Sequence, residues 1–115
     1  MNSSDNAIKL AFEPLRELTL AGAVVGFTAV GAPLLYPARM NFINNNTANT
    51  IYISLNGVDR HLEIASSTGI VADWSSNKSN QGGVALIPAG TQFWADTGAA
   101  ATGSVSIATV YASTV

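Results

Sequence analysis

Apolar residues recur at every second position in runs of only a few residues, and each run stops at glycine, proline or asparagine. That period matches the pleat of a β-strand and leaves no room for a long amphipathic helix. The clearest case is the stretch from residue 50 to 65. Ile51, Ile53 and Leu55 share one face and Tyr52 and Ser54 the other; Asn56-Gly57 follows, and Leu62 and Ile64 bring an apolar face back. Asn-Gly supplies two positive-φ residues cheaply, so the pattern predicts a hairpin closed by a type I′ turn.

The same reading predicts strands over 15–20, 24–30, 38–44, 70–74, 84–87, 91–95 and 104–111. In 38–44, Met40 and Phe42 alternate with Arg39 and Asn41. Asn44-Asn45-Asn46-Thr47 reads as a turn-rich connection, because asparagine tolerates left-handed backbone and bonds its own main chain. Residues 75–83 read as a polar loop. The last strand carries Val105, Ile107 and Tyr111 on one face, with Ala108 and Val110 making the other apolar too, so coverage on both sides is expected. No internal repeat is evident. The expected fold is all-β: a single antiparallel β-sandwich or jelly-roll-like domain of about eight strands over 15–115. Residues 1–14 are expected to form an extended N-terminal arm, in which Ile8, Leu10 and Phe12 alternate with Lys9, Ala11 and Glu13 and suit an added strand; a short helix is the alternative.

At 115 residues the chain fits one domain, yet only 10% of its residues are charged. Ordinary soluble domains carry about 25%. Five of the twelve charged residues fall in the first 17, and none follows Asp96. Exposed strand edges are usually guarded by charge, lysine above all. With two lysines in the chain, covering by another subunit is the simpler protection. A net charge of −2 argues against nucleic-acid binding, which needs clustered Lys and Arg. The absence of cysteine excludes disulfides and thiol chemistry. Residues 18–38 are uncharged and long enough to cross a bilayer, but three glycines, two prolines and two threonines there favour buried strands over a membrane helix. The first ten residues lack the basic and apolar regions of a secretory signal, so a cytoplasmic site of synthesis is expected and the sequons at Asn2, Asn45 and Asn77 carry little weight.

Candidates for chemistry are few. Asp59, His61 and Glu63 alternate along one strand and share a face, a set that could hold a divalent metal only if long side chains converged; a solvated or subunit-facing surface is the plainer account. No Gly-x-Ser-x-Gly elbow accompanies His61, the one histidine. Asp73 and Asp96 could form a glycosidase pair only if the fold joined them, and Gly82-Gly83 lacks the lysine of a phosphate loop. No enzyme, metal or cofactor is therefore expected. Trp74 and Tyr111 read as core. Trp94 follows Phe93 and points outward if Phe93 is inward, so it is a candidate interface residue or, alternatively, the platform of a carbohydrate-binding module.

An ordered set of short runs remains: Phe12-Glu13-Pro14-Leu15-Arg16, Pro37-Ala38-Arg39-Met40, Asn44 with Thr47, Ile51 to Asp59, Asp73 and Asn77, Leu86 to Phe93, Gly103-Ser104-Val105 and Tyr111. Over residues 12–112 this set resembles the small β-sandwich virion structural proteins of tailed bacteriophages. Asn56 stands where that family tends to have an acidic residue before the hairpin glycine, a change of turn chemistry only. The resemblance implies a non-enzymatic, symmetric building block of the virion: capsid decoration, head–tail collar or connector, or fibre attachment. Its implied partners are copies of itself and capsid, portal or tail proteins, with neither nucleic acid nor membrane. The interface residues expected on this reading are Ile8, Leu10, Phe12, Arg16, Arg39 and Trp94, with residues 1–17 and the loop over 99–102 as docking candidates, and with the arm able to extend a neighbour's sheet.

Overall fold

The computed structural model describes residues 9–22, 25–74, 86–100 and 102–113. The expected positions of Ile8, most of the 84–87 strand and the 75–83 loop lie outside the described residues. Nine strands form, and no α-helix occurs among the described residues: β1 (Lys9–Phe12), β2 (Arg16–Ala21), β3 (Phe27–Ala29), β4 (Ala38–Asn46), β5 (Ile51–Ser54), β6 (Leu62–Ile64), β7 (Gly69–Asp73), β8 (Trp94–Asp96) and β9 (Thr102–Ser113). They make two antiparallel sheets facing each other as a sandwich. One sheet runs β1-β9-β4-β7, with β2 also on β9; the other runs β3-β8-β5-β6. Among the described residues no helix is long and apolar enough to cross a membrane.

The core lies between the sheets. Ile43, Val105 and Ile107 from the first meet Ile51, Ile53, Ile64 and Ala95 from the second, with Phe93, Val30 and Leu34 closing the sides, and all are almost fully buried. Register explains why these residues are chosen. On β4 and β9 the pairs Asn41↔Thr109, Ile43↔Ile107 and Asn45↔Val105 face inward, whereas Met40↔Val110 and Phe42↔Ala108 face out. Two asparagines therefore occupy core positions. Asn45, expected in a turn, lies inside β4. Its amide donates to the carbonyls of Asn49, Ile64 and Ala65, while its oxygen accepts from the Thr47 amide and hydroxyl. A buried amide with all its groups paired replaces backbone pairing where the strand leaves its ladder, which is why polarity there does not signal exposure.

β5 and β6 form a hairpin with the expected residues inward, but its pairs, Ile51↔Ile64 and Ile53↔Leu62, lie two residues from the Ile51↔Leu62 and Ile53↔Arg60 register that a two-residue turn at Asn56-Gly57 imposes. Its connection is a wider loop and not a type I′ turn: Gly57 has φ +76, but Asn56 is not among the positive-φ residues. Side chains organise the loop instead. Ser54 Oγ accepts from the amides of Asn56 and Gly57, and Asn56 Oδ1 accepts from those of Val58 and Asp59. Gly57 lies against the indole of Trp94, where an added Cβ would come within 3.0 Å of the ring.

Candidate functional site

The outward face of the five-stranded sheet is divided along its length. Ser104 and Ser106 on β9, Asn44 and Asn46 on β4, and Glu17 and Thr19 on β2 make one half polar. Beyond them the same face turns apolar. Ala108, Phe42 and Val71 lie side by side across three strands; next to them are Phe12, Val110 and Met40; Leu10 and Ala112 follow. Leu10 is 65% exposed, Phe12 66% and Val71 60%. Val110, on this outer face, is only 4% exposed because its neighbours in register flank it. A contiguous apolar patch spanning four strands is the kind of surface that marks a protein contact.

β1 carries the most exposed part of that patch, and a buried polar cluster fixes it in place. Phe12 faces Val110 and Arg16 faces Ile107, so the β1–β2 side spends one residue more than β9 between those points. The excess is a bulge at Pro14, which has no N–H to give a ladder. Glu13 faces inward by simple alternation, and the bulge shifts the phase by one so that Arg16 faces inward too; each is 5% exposed. Arg16 Nη2 bonds Glu13 Oε1 at 2.6 Å and the Pro33 carbonyl at 2.9 Å, and Nε bonds the Ala32 carbonyl at 2.7 Å. The amides of Leu35 and Tyr36 donate to the two Glu13 oxygens, both at 3.1 Å. Arg16 Nη1 reaches Thr109 Oγ1, which also accepts from Asn41 Nδ2; Asn41 Oδ1 accepts from Trp74 Nε1 at 2.8 Å. Burial by itself raises the Glu13 pKa, but the hydrogen bonds from Arg16, Leu35 and Tyr36 outweigh it and hold the carboxyl below its ordinary value. The backbone is tied as well, since the Glu13 amide donates to the Thr109 carbonyl at 3.0 Å.

Thus Leu10 and Phe12 stand on the exposed apolar face, while Arg16, expected at an interface, is spent inside the domain. Arg39 is half-buried at the irregularity between Ala38 and Met40 in the β4–β9 ladder. Trp94 does point away from the core that buries Phe93, but it is half-buried, with Gly57 against its ring. Its neighbour Tyr52 has the Arg60 guanidinium 3.9 Å over the ring, and Arg60 also pairs with Asp96 at 2.8 Å. Trp94 and Tyr52 on this second sheet thus each have a neighbour from the same chain against the ring.

Asp59, His61 and Glu63 are exposed, and no group of three metal-ligating side chains converges among the described residues. His61 Nδ1 accepts from the Leu55 amide, and Asp59 accepts from Asn56. Asp73 and Asp96 lie on different sheets. Trp74 packs on the core, as expected, and Tyr111 stacks on Tyr36 with ring centres 4.2 Å apart. An apolar cleft of about 280 Å³ is bounded by Leu55, His61, Leu62 and Trp74. A groove of about 370 Å³ runs between Pro14-Leu15 and Pro33 to Leu35, above the buried cluster.

The buried cluster escaped the sequence reading. Its one visible trace is a Glu and an Arg three residues apart around a proline, in a chain that carries few charges. Compared with family models, curated proteins and solved structures, the chain finds no match in any of the three.

Proposed function

We propose that this chain is a non-enzymatic structural subunit of a tailed-phage virion, decorating or stabilising the capsid or building the head–tail collar or connector. It acts through symmetric contacts with copies of itself and with capsid, portal or tail proteins. The observation that carries the reading is the apolar half-face of the five-stranded sheet, from Leu10 and Phe12 across Val110, Met40 and Phe42 to Val71. A subunit working alone in water gains nothing from leaving that area open; one built to be packed among neighbours does. The low charge of the chain and its ordered run of short motifs support the same reading.

Quantitative mass spectrometry of purified particles tests it. Copy numbers near that of the major capsid protein are expected for a decoration subunit, and a single ring's worth for a collar or connector component. Absence from the particle overturns the proposal.

A further inference from the structure

We infer that β1 pairs with the β1 of a second copy of this chain, antiparallel about a two-fold axis at Ala11, joining two five-stranded sheets into one. This rests on the reading of the chain as an assembly subunit and names the partner of its exposed edge.

The hydrogen-bond pattern fixes the geometry. Glu13 donates to Thr109, so their pair exchanges backbone bonds with β9. Alternation along an antiparallel ladder then assigns the same inward role to Ala11 opposite Tyr111 and to Lys9 opposite Ser113. The N–H and C=O groups of Leu10 and Phe12 point the other way, off the sheet, with no strand against them among the described residues. An edge offering two donors and two acceptors in this order is self-complementary. Leu10 of one copy meets Phe12 of the other, each pair exchanging two bonds, and Ala11 sits on the axis. There the two strands approach most closely, and a small side chain is required.

That register keeps the two Lys9 residues apart: each lies across from the backbone of the second copy's Glu13, whose carboxylate stays with Arg16. Pro14 ends the ladder just beyond, since it cannot donate. The edge is lightly guarded: the strand is four residues long and carries one lysine, with no proline and no bulge within it. Side chains add to the contact. Leu10 and Phe12 of both copies stand together on the outer face and double the apolar patch. A four-residue edge with two exposed side chains buries less than the roughly 1,200 Å² at which stable interfaces begin. The isolated dimer is therefore of the weak class, strengthened when many copies are held together. Exchange of β1 between copies is disfavoured by the Glu13 cluster, which ties its C-terminal end to Leu35 and Tyr36 of its own domain.

Sedimentation velocity of the purified chain from low to high micromolar concentration tests the inference, with hydrogen exchange read at the Leu10 and Phe12 amides. A reversible dimer is expected, with those two amides becoming protected as dimer forms. Leu10→Pro deletes an outward N–H without touching the β9 ladder, and Phe12→Lys adds charge beside the axis; each is expected to halve the sedimenting mass at high concentration. Val71→Lys, on the same face but three strands away, is expected to leave the dimer intact. A wild-type chain that stays monomeric overturns the inference, and so does a dimer that forms without protecting Leu10 and Phe12. So too does one that survives both edge variants or is lost in Val71→Lys. Should a monomer still be found in virions, the subunit reading stands and this edge meets a different protein.

Discussion

Both carboxylate oxygens of Glu13 accept hydrogen bonds in a place where burial alone would favour the protonated form. Because the folded chain holds this pKa below the unfolded value, the stabilisation is fully present above the ordinary carboxylate range and is lost as pH falls through the lowered value. Urea unfolding of the wild type is therefore expected to show stability falling on acidification below about pH 4.5. Glu13→Gln removes that part of the dependence. It also leaves the Arg16 guanidinium buried without its counter-charge, at a cost of roughly 3–5 kcal/mol at neutral pH. Equal pH slopes in the two proteins would show that the carboxylate does not titrate with folding. Residues of this type are where sequence reading fails for a physical reason. Glu13, Arg16, Asn41 and Asn45 are polar by composition, yet they are buried because each finds its partners in distant segments, and no local pattern encodes that meeting. Leu10 and Phe12, by contrast, could be placed on one face from their spacing alone.

At the level of elements, β1 and β2 act as one strand broken by the Pro14 bulge, laid end to end along β9. A truncation there has two different outcomes depending on a single residue. Removing residues 1–12 takes away β1 and frees the edge of β9 over 110–113, but keeps the carboxylate that neutralises Arg16. Removing residues 1–13 takes the carboxylate too. Both are expected to fold, with the longer deletion less stable than the shorter by roughly 3 kcal/mol, the penalty of an orphaned buried charge. Denaturation midpoints at neutral pH measure the gap. Coincident midpoints would mean that Arg16 finds water or another partner. Legibility at this scale was high for alternation and lower for connections. The inward faces of β5 and β6 follow from Ile51, Ile53, Leu62 and Ile64, as read, whereas their register is two residues from that of an Asn56-Gly57 turn. The loop between them escaped because Ser54 and Asn56 cap amides with their side chains, a choice that competes with the Asn-Gly turn and leaves the same residues in the sequence.

For the molecule as a whole, β9 is the strand on which the larger sheet depends, since β1, β2 and β4 all pair with it. The all-β sandwich was legible because the period of two and the turn residues act locally. The strand order was not, because β1 meets β9 from the opposite end of the chain, and alternation says nothing about which edge pairs with which. That topology makes cooperativity uneven. Ile107 is fully buried at the centre of β9, between Arg16 on one side and Ile43 on the other. Ile64, equally buried, belongs to β6 at the border of the smaller sheet, and among the described strands β6 pairs with β5 alone. Alanine at either position opens a cavity costing about 2–5 kcal/mol, a large share of a small domain's stability. Native-state hydrogen exchange should separate the two. Ile107→Ala is expected to lower protection in β1, β2, β4 and β9 together, whereas Ile64→Ala lowers it chiefly in β5 and β6. If β1 and β2 kept wild-type protection in Ile107→Ala, β9 would not be the unit that holds the sheet, and the docking face built on it would have to draw its rigidity from β4 and β7 alone.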